Sequence, residues 1–331
     1  NVNFAKFIKK NYTDWFLPNA NNKPMLSPNI IREKVFPEIQ KDSKTLLLVL
    51  DNLRYDHWVA LRPLLSEYFS VEDDSLYFSI LPTTTQYARN ALFSGLMPAD
   101  LEKLYPDLWV DDEDDESKNL HEEEMLVTQL KRLGYSERIY FDKITNINTG
   151  KNLNDRLAHI SQSHFSVLVH NFIDILSHAR TEMNMIKELA NDEAAYRSLT
   201  VSWFTHSPLF EMLQELSRRK VNILITTDHG SVNIQNPIKV LGDRNVNTNL
   251  RYKQGKALQY NKKEVFEITR PIDARLPQNH LSSAYIFATN QDFFAYPNNY
   301  NYYVKYYKDT FQHGGISLEE MIIPFVSLKA I

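Results

Sequence analysis

Six apolar runs of strand length punctuate the chain, and this pattern constrains the fold more than any other feature. TLLLVL (45–50), HFSVLVHNF (164–172) and VNILITT (221–227) are apolar at mostly consecutive positions, not alternate ones. Such a run cannot turn one face to water, so it belongs in a sheet covered on both sides. YFSIL (77–81), AYIFAT (284–289) and IIPFVSL (322–328) read the same way. Between them lie helical patterns long enough for crossovers, notably ARTEMNMIKELANDEAAYRSLTVSWF (179–204) and PLFEMLQELSRRK (208–220). Strands alternating with helices predict an α/β fold, a doubly wound and mostly parallel sheet flanked by helices. Upstream, NFAKFIKKNYTDWF (3–16) predicts an amphipathic helix and LPNANNKPMLSPN (17–29) a Pro/Asn-rich connector. A composition boundary near residue 40 sets a helical linker segment (1–40) apart from one large domain (41–331).

Composition narrows the partners. The 331 residues carry a net charge of -4 with no block of Lys or Arg, which argues against wrapping duplex nucleic acid through its phosphates. Cysteine is absent, which excludes a disulfide framework, a thiolate zinc site and a cysteine nucleophile, and fits a cytoplasmic protein. No stretch approaches the roughly 18 apolar residues of a membrane span. The chain begins Asn1-Val2-Asn3 without an initiator Met, as expected of a processed chain or, preferably, of a piece of a longer polypeptide.

In open α/β sheets, ligands gather outside the carboxyl ends of the strands, so the residues that follow each run are the candidates. The first run ends in Asp51, and YFSIL leads into Pro82-Thr83-Thr84-Thr85. VLVHNFI ends in Asp174, with His178 four residues on, and NILITT ends in Asp228-His229. His313, with Gly314 and Gly315 behind it, precedes the last run. Each has a plainer use. An Asp at a strand end caps a helix or forms a turn, Asp174 and His178 at i, i+4 form a surface pair, and the threonines cap a helix or sit on a strand edge. Gathered at one rim, however, carboxylates and imidazoles in equal number with no sulfur suit a borderline metal, Zn²⁺ before Mn²⁺ or Fe²⁺. Six ligands exceed one tetrahedral shell. Two ions about 4 Å apart would use them, clamping both oxygens of a phosphoryl displacement. A hydroxyl needs such activation to attack at neutral pH, and Thr85 would supply it.

The order Asp51, threonine cluster, Asp174-Ile175-Leu176-Ser177-His178, Asp228-His229-Gly230 and His313 resembles the alkaline phosphatase superfamily, and within it the PglZ domain. The resemblance spans residue 44 to the end. It implies an alkaline-phosphatase-like sheet with a small cap built from insertions, about 231–312. It implies one metal held by Asp174, His178 and His313, and a second held by Asp51, Asp228, His229 and the nucleophile oxygen. PTTTQYARNALFSGLMP (82–98) resembles the nucleophile segment of the superfamily's phosphodiesterases, Pro-Thr-x-Thr, a helix, then Thr/Ser-Gly-Leu-x-Pro. On that match Thr85 is the nucleophile, Thr84 the second choice and Thr83 structural. LSEYFS, LYPDLWVDDEDDE and HGGISLEEMIIPF further resemble the effector half of PorX-type response regulators, which are linked to type IX secretion in bacteria. That likeness implies a two-component system, contact with a sensor histidine kinase and a sigma factor, and allows a homodimer.

The reading that follows is a two-metal phosphodiesterase, with two Zn²⁺ or Mn²⁺ in their place, acting on a nucleotide or a short, including cyclic, oligonucleotide. A metal-stabilised signalling module with little or no hydrolysis is the alternative. Three further stretches are less telling. VDDEDDESKNLHEEE (110–124) is expected to be a solvated acidic loop. Arg244, Arg251, Lys253 and Lys256 in 242–258 either grip a substrate phosphate or line a surface loop. FFAYPNNYNYYVKYY (293–307) offers rings that stack bases or, for most of them, pack into the core and cap.

Overall fold

TLLLVL is an inner strand of a six-stranded sheet in the computed structural model, which describes residues 1–110, 119–144, 153–171, 173–177, 192–242, 247–278, 280 and 282–331. The sheet contains β1 (Thr45–Leu50), β2 (Phe69–Phe78), β3 (Tyr140–Ile144), β4 (Phe165–His170) and β5 (Asn222–Thr226). Then come the short strands β6 (Val232–Asn233), β7 (Asn236–Lys239), β8 (Tyr252–Gly255), β9 (Phe266–Ile268), β10 (Ala284–Phe287), β11 (Asp292–Ala295) and β12 (Phe311–Gln312). The last strand, β13 (Ile322–Ala330), returns to the central sheet, whose order is β2-β13-β5-β1-β4-β3. β1 is parallel to β4 and β5, and β3 is parallel to β4. β13 alone runs the other way, antiparallel to β2 and to β5.

The consecutive apolar residues of β1 divide between two cores. Leu46, Leu48 and Leu50 pack on one face, and Leu47 and Val49 on the other. The first face is covered by helices Tyr55–Leu65, Glu193–Thr205 and Pro208–Arg218, through Trp58, Leu61, Phe204, Met212 and Leu213. The second is covered by Asn90–Ser94 and Glu122–Arg132, through Leu92, Phe93, Met125 and Leu126. Each buried leucine stabilises the fold by about 1.5–3 kcal/mol, so strands and helices hold one another in place. Sequence also sets the helix starts. Ser207 accepts a hydrogen bond from the Phe210 N–H with Pro208 at the first turn, and Asp192 accepts one from Ala195.

Three strand expectations need correction. AYIFAT is not in the central sheet, because β10 pairs antiparallel with β8 and β9 in a separate sheet. IIPFVSL belongs to the central sheet but antiparallel. The strand at YFSIL begins earlier, at Phe69, and ends at Phe78. It is an edge strand, half-exposed along much of its length, which is why FSVEDDSL does not read as buried. Residues 1–40 pack against the second core through Ala5, Ile8, Tyr12, Trp15, Ile31 and Val35. The Tyr12 hydroxyl accepts a 2.7 Å hydrogen bond from the Leu81 N–H, just ahead of the threonine cluster. No helix of the described residues is long and apolar enough to cross a membrane.

Candidate active site

Five of the six strands point the same way, so the segments that leave them emerge at one rim, while β13 delivers to that rim the segment that precedes it. Asp51 follows β1, Asp228 and His229 follow β5, and Asp174 lies just beyond β4. The turn after β2 carries Thr83 to Thr85, and His313 sits on the approach to β13. Gly230 is demanded by this arrangement. A Cβ there would lie 2.0 Å from the Glu319 carbonyl oxygen, on the chain entering β13. Gly314, behind His313, adopts φ +123°, where a side chain is strained.

Asp51, Asp228 and His229 are buried, and one ligand atom from each lies within 4.8 Å of the others. His229 Nε2 is 3.7 Å from Asp51 Oδ1 and 3.6 Å from Asp228 Oδ2. Its other nitrogen, Nδ1, donates to the Gly230 carbonyl at 3.2 Å. A carbonyl only accepts, so Nδ1 holds the proton in the neutral ring and Nε2 turns a lone pair toward the carboxylates. Asp51 Oδ1 is buried and accepts no hydrogen bond among the described residues. Three acceptor atoms therefore converge, an arrangement that a cation satisfies and that chelating oxygen and nitrogen donors fit. Burial raises the Asp51 carboxyl above the usual carboxylate range in spite of Arg89. Burial acts on Asp228 too, but the Arg89 guanidinium beside it outweighs burial and holds that group low.

The threonines differ sharply. Thr83 Oγ1 donates to the Gly315 carbonyl and accepts from the Gly314 N–H, both at 3.0 Å, so it fastens the loop behind His313. Thr84 Oγ1 is buried and makes no hydrogen bond among the described residues. Thr85, half-buried at the start of the helical turn Thr85–Arg89, has its Oγ1 3.1 Å from His229 Nε2. With Nδ1 carrying the ring proton, the Thr85 hydroxyl is the donor. The His313 ring stacks on His229, centroids 4.1 Å apart and planes 14° from parallel. His313 Nδ1 donates to the Thr83 carbonyl at 3.1 Å, and Nε2 faces Asp174 Oδ1 at 3.8 Å. Asn52, in a left-handed conformation at φ 64°, reaches Asp174 Oδ1 with its amide at 3.4 Å. His178, the remaining expected ligand, lies outside the described residues.

Comparison with known proteins gives the family and the fold. The family model for the PglZ alkaline phosphatase-like domain of the BREX system matches residues 30–328. The chain belongs to the PglZ family. No curated protein sequence matches it. Among solved structures, it is similar to murine ectonucleotide pyrophosphatase/phosphodiesterase 5, with a TM-score of 0.56, 12% identity, and 86% and 88% of the two chains covered. The human protein of that name aligns with a TM-score of 0.53, 11% identity, and 86% and 87% covered. An inactive threonine-to-alanine variant of the murine protein in complex with AMP aligns at 0.55, 12% identity, and 86% and 88% covered. At such identities the likeness is one of fold, and the fold is alkaline phosphatase-like.

Several residues of this PglZ chain have roles that sequence reading did not assign. Arg89, fully buried, pairs with Asp51, Asp228 and Glu122. Glu122 belongs to the acidic stretch expected to be a solvated loop, yet it is buried and opens the helix Glu122–Arg132. Residues 111–118 of that stretch lie outside the described residues. Arg251 does not face a substrate, because its guanidinium pairs with Glu320 at 3.1 and 2.6 Å in the interior. Glu320 also accepts the Gly315 N–H at 2.9 Å, so this pair braces the loop that holds His313. Lys253 is buried as well, donating to the Asn247 carbonyl at 2.7 Å above the Tyr296 ring. Lys256 is exposed, and Arg244 lies outside the described residues. In the aromatic tract Phe293 and Phe294 are buried, but Tyr302, Tyr303 and Tyr306 are exposed on the helix Tyr300–Tyr307.

Proposed function

We propose that this PglZ domain is a metal-dependent phosphodiesterase that acts on nucleotides or short oligonucleotides with Thr85 as nucleophile. The observation that carries the reading is the convergence of Asp51, Asp228 and His229 on one point with the Thr85 hydroxyl 3.1 Å from His229 Nε2. Asp51, Asp228, His229 and Thr85 would hold one ion, and Asp174, His178 and His313 the other. Bound Zn²⁺ or Mn²⁺ supplies Lewis acidity, lowering the pKa of hydroxyl groups and offsetting charge on phosphoryl oxygens. Thr85 attacks phosphorus, the alcohol departs, and the resulting phosphoryl-threonine ester is cleaved by water. Each displacement inverts, so the product retains configuration at phosphorus. The stacked imidazoles keep Nε2 of both rings turned inward because backbone carbonyls hold both Nδ1 protons.

Two observations support the substrate class. The Arg89 guanidinium is engaged by three carboxylates, so it offers no clamp to the second negative charge of a monoester. The similar murine protein is inactive once a threonine is replaced and binds AMP in that form, which agrees with a threonine nucleophile and a nucleotide substrate here. The test is metal analysis of the purified chain together with turnover of a chromogenic diester and the matching monoester. Faster cleavage of the diester, abolished by a chelator, is expected. Equal rates would remove the diester assignment, and no turnover with either metal would leave a binding module.

The second ion can be tested separately. His313→Ala should lower the bound metal from about two ions per chain to about one, because Asp174 and His178 cannot complete a tetrahedral shell. Unchanged metal content would take His313 out of the site.

A further inference from the structure

We propose that Arg89 is a resident counter-charge for the metal-ligand carboxylates, a positioning residue whose effect is greatest when the metal is away. The inference rests on the metal reading of the site. Arg89 is fully buried, and its three nitrogens reach three different carboxylates. One pairs with Asp51 Oδ2, Nε is 3.1 Å from Asp228 Oδ2, and Nη1 is 3.3 Å from Glu122 Oε1. Glu122 is in turn 3.0 Å from Lys143 Nζ, which reaches in from the edge strand β3. Three buried carboxylates thus face one buried guanidinium and one partly exposed ammonium, leaving an excess of one negative charge.

The guanidinium fork takes Oδ2 of Asp51 and leaves Oδ1, which has no hydrogen bond, toward His229 Nε2. It therefore fixes which oxygen is presented to a cation. It also keeps the carboxylates tolerable at full burial, where unpaired charge is strongly destabilising. A divalent cation would supply the missing positive charge at the same place. Arg89 and the cation then compete as counter-charges, so loss of Arg89 should hurt the metal-free protein more than the loaded one. A purely structural role for Arg89 would lower both equally.

The experiment compares melting temperatures with excess Zn²⁺ and with chelator, and measures Zn²⁺ affinity directly. Arg89→Met is expected to lower the chelated melting temperature by about 6 °C and the loaded one by about 4 °C. By linkage, Zn²⁺ should bind it about tenfold more tightly while turnover falls. Arg89→Lys, which restores the charge without the fork, should recover much of the chelated stability. Glu122→Gln removes one buried negative charge, so it should narrow the gap between loaded and chelated melting, and it decides the matter alone if Arg89→Met does not fold. Equal losses in both states for Arg89→Met, or an unchanged gap for Glu122→Gln, would overturn the proposal. A wild-type melting temperature indifferent to chelator would instead overturn the metal reading beneath it.

Discussion

Thr85→Val is expected to lower diester turnover by about a thousandfold or more while leaving the fold and most of the metal in place. Valine keeps the branching and shape of threonine and removes only the oxygen that lies 3.1 Å from His229 Nε2. Any residual rate would be direct attack by water in place of the threonine oxygen. Thr84→Val is the matched control. The Thr84 hydroxyl is buried without a hydrogen bond among the described residues, so replacing it with a methyl group should cost little and can stabilise. If Thr84 proved essential and Thr85 dispensable, the nucleophile would sit one residue earlier. If neither change altered turnover, the threonine mechanism would fail.

Asp228→Ala should have an effect of similar size on turnover and a second one on stability. Asp228 is fully buried, shares Arg89 with Asp51 and lies 3.6 Å from His229 Nε2. Without its carboxylate the cluster keeps two of its three buried ligands. Loss of the ion there removes its stabilisation by mass action, about 2.7 kcal/mol at a hundredfold excess over Kd. Melting in metal-containing buffer should fall by about 4 °C and approach that of the chelated protein. A full chelator-dependent shift retained by Asp228→Ala would remove Asp228 from the metal site.

The parts of the fold legible in the sequence were those in which one residue pattern has one physical meaning. β1, β4 and β5 are buried on both faces, so TLLLVL, FSVLVH and NILIT are nearly all apolar and could be read directly. β2 and β3 are the edges of the sheet and mix polar with apolar residues, which disguised the first and hid the second. β10 is as apolar as an inner strand because it is covered within its own small sheet, and pattern alone cannot tell those cases apart. Candidate ligands were legible because strands that run in parallel send their following residues to one rim. His313 fits that logic only because β13 runs backward and brings its preceding loop there.

What stayed hidden was pairing at a distance. Arg89 meets Glu122 across 33 positions, and Arg251 meets Glu320 across 69. Neither spacing has a local signature. Glu122 sits in a run of acidic residues whose composition signals a solvated loop, and Arg251 in a polar segment that signals a surface. A buried guanidinium and an exposed one are spelled alike, and only the partners distinguish them.

A covalent step at Thr85 can be trapped. Metal-loaded protein would be mixed with a labelled nucleotide diester for less than one turnover, quenched in acid and mapped by mass spectrometry, with Asp228→Ala as the control. A nucleotidyl group esterified to Thr85 is expected in the wild type and none in the variant. Product release with no adduct at Thr83, Thr84 or Thr85 would contradict it, since water would then be attacking phosphorus directly.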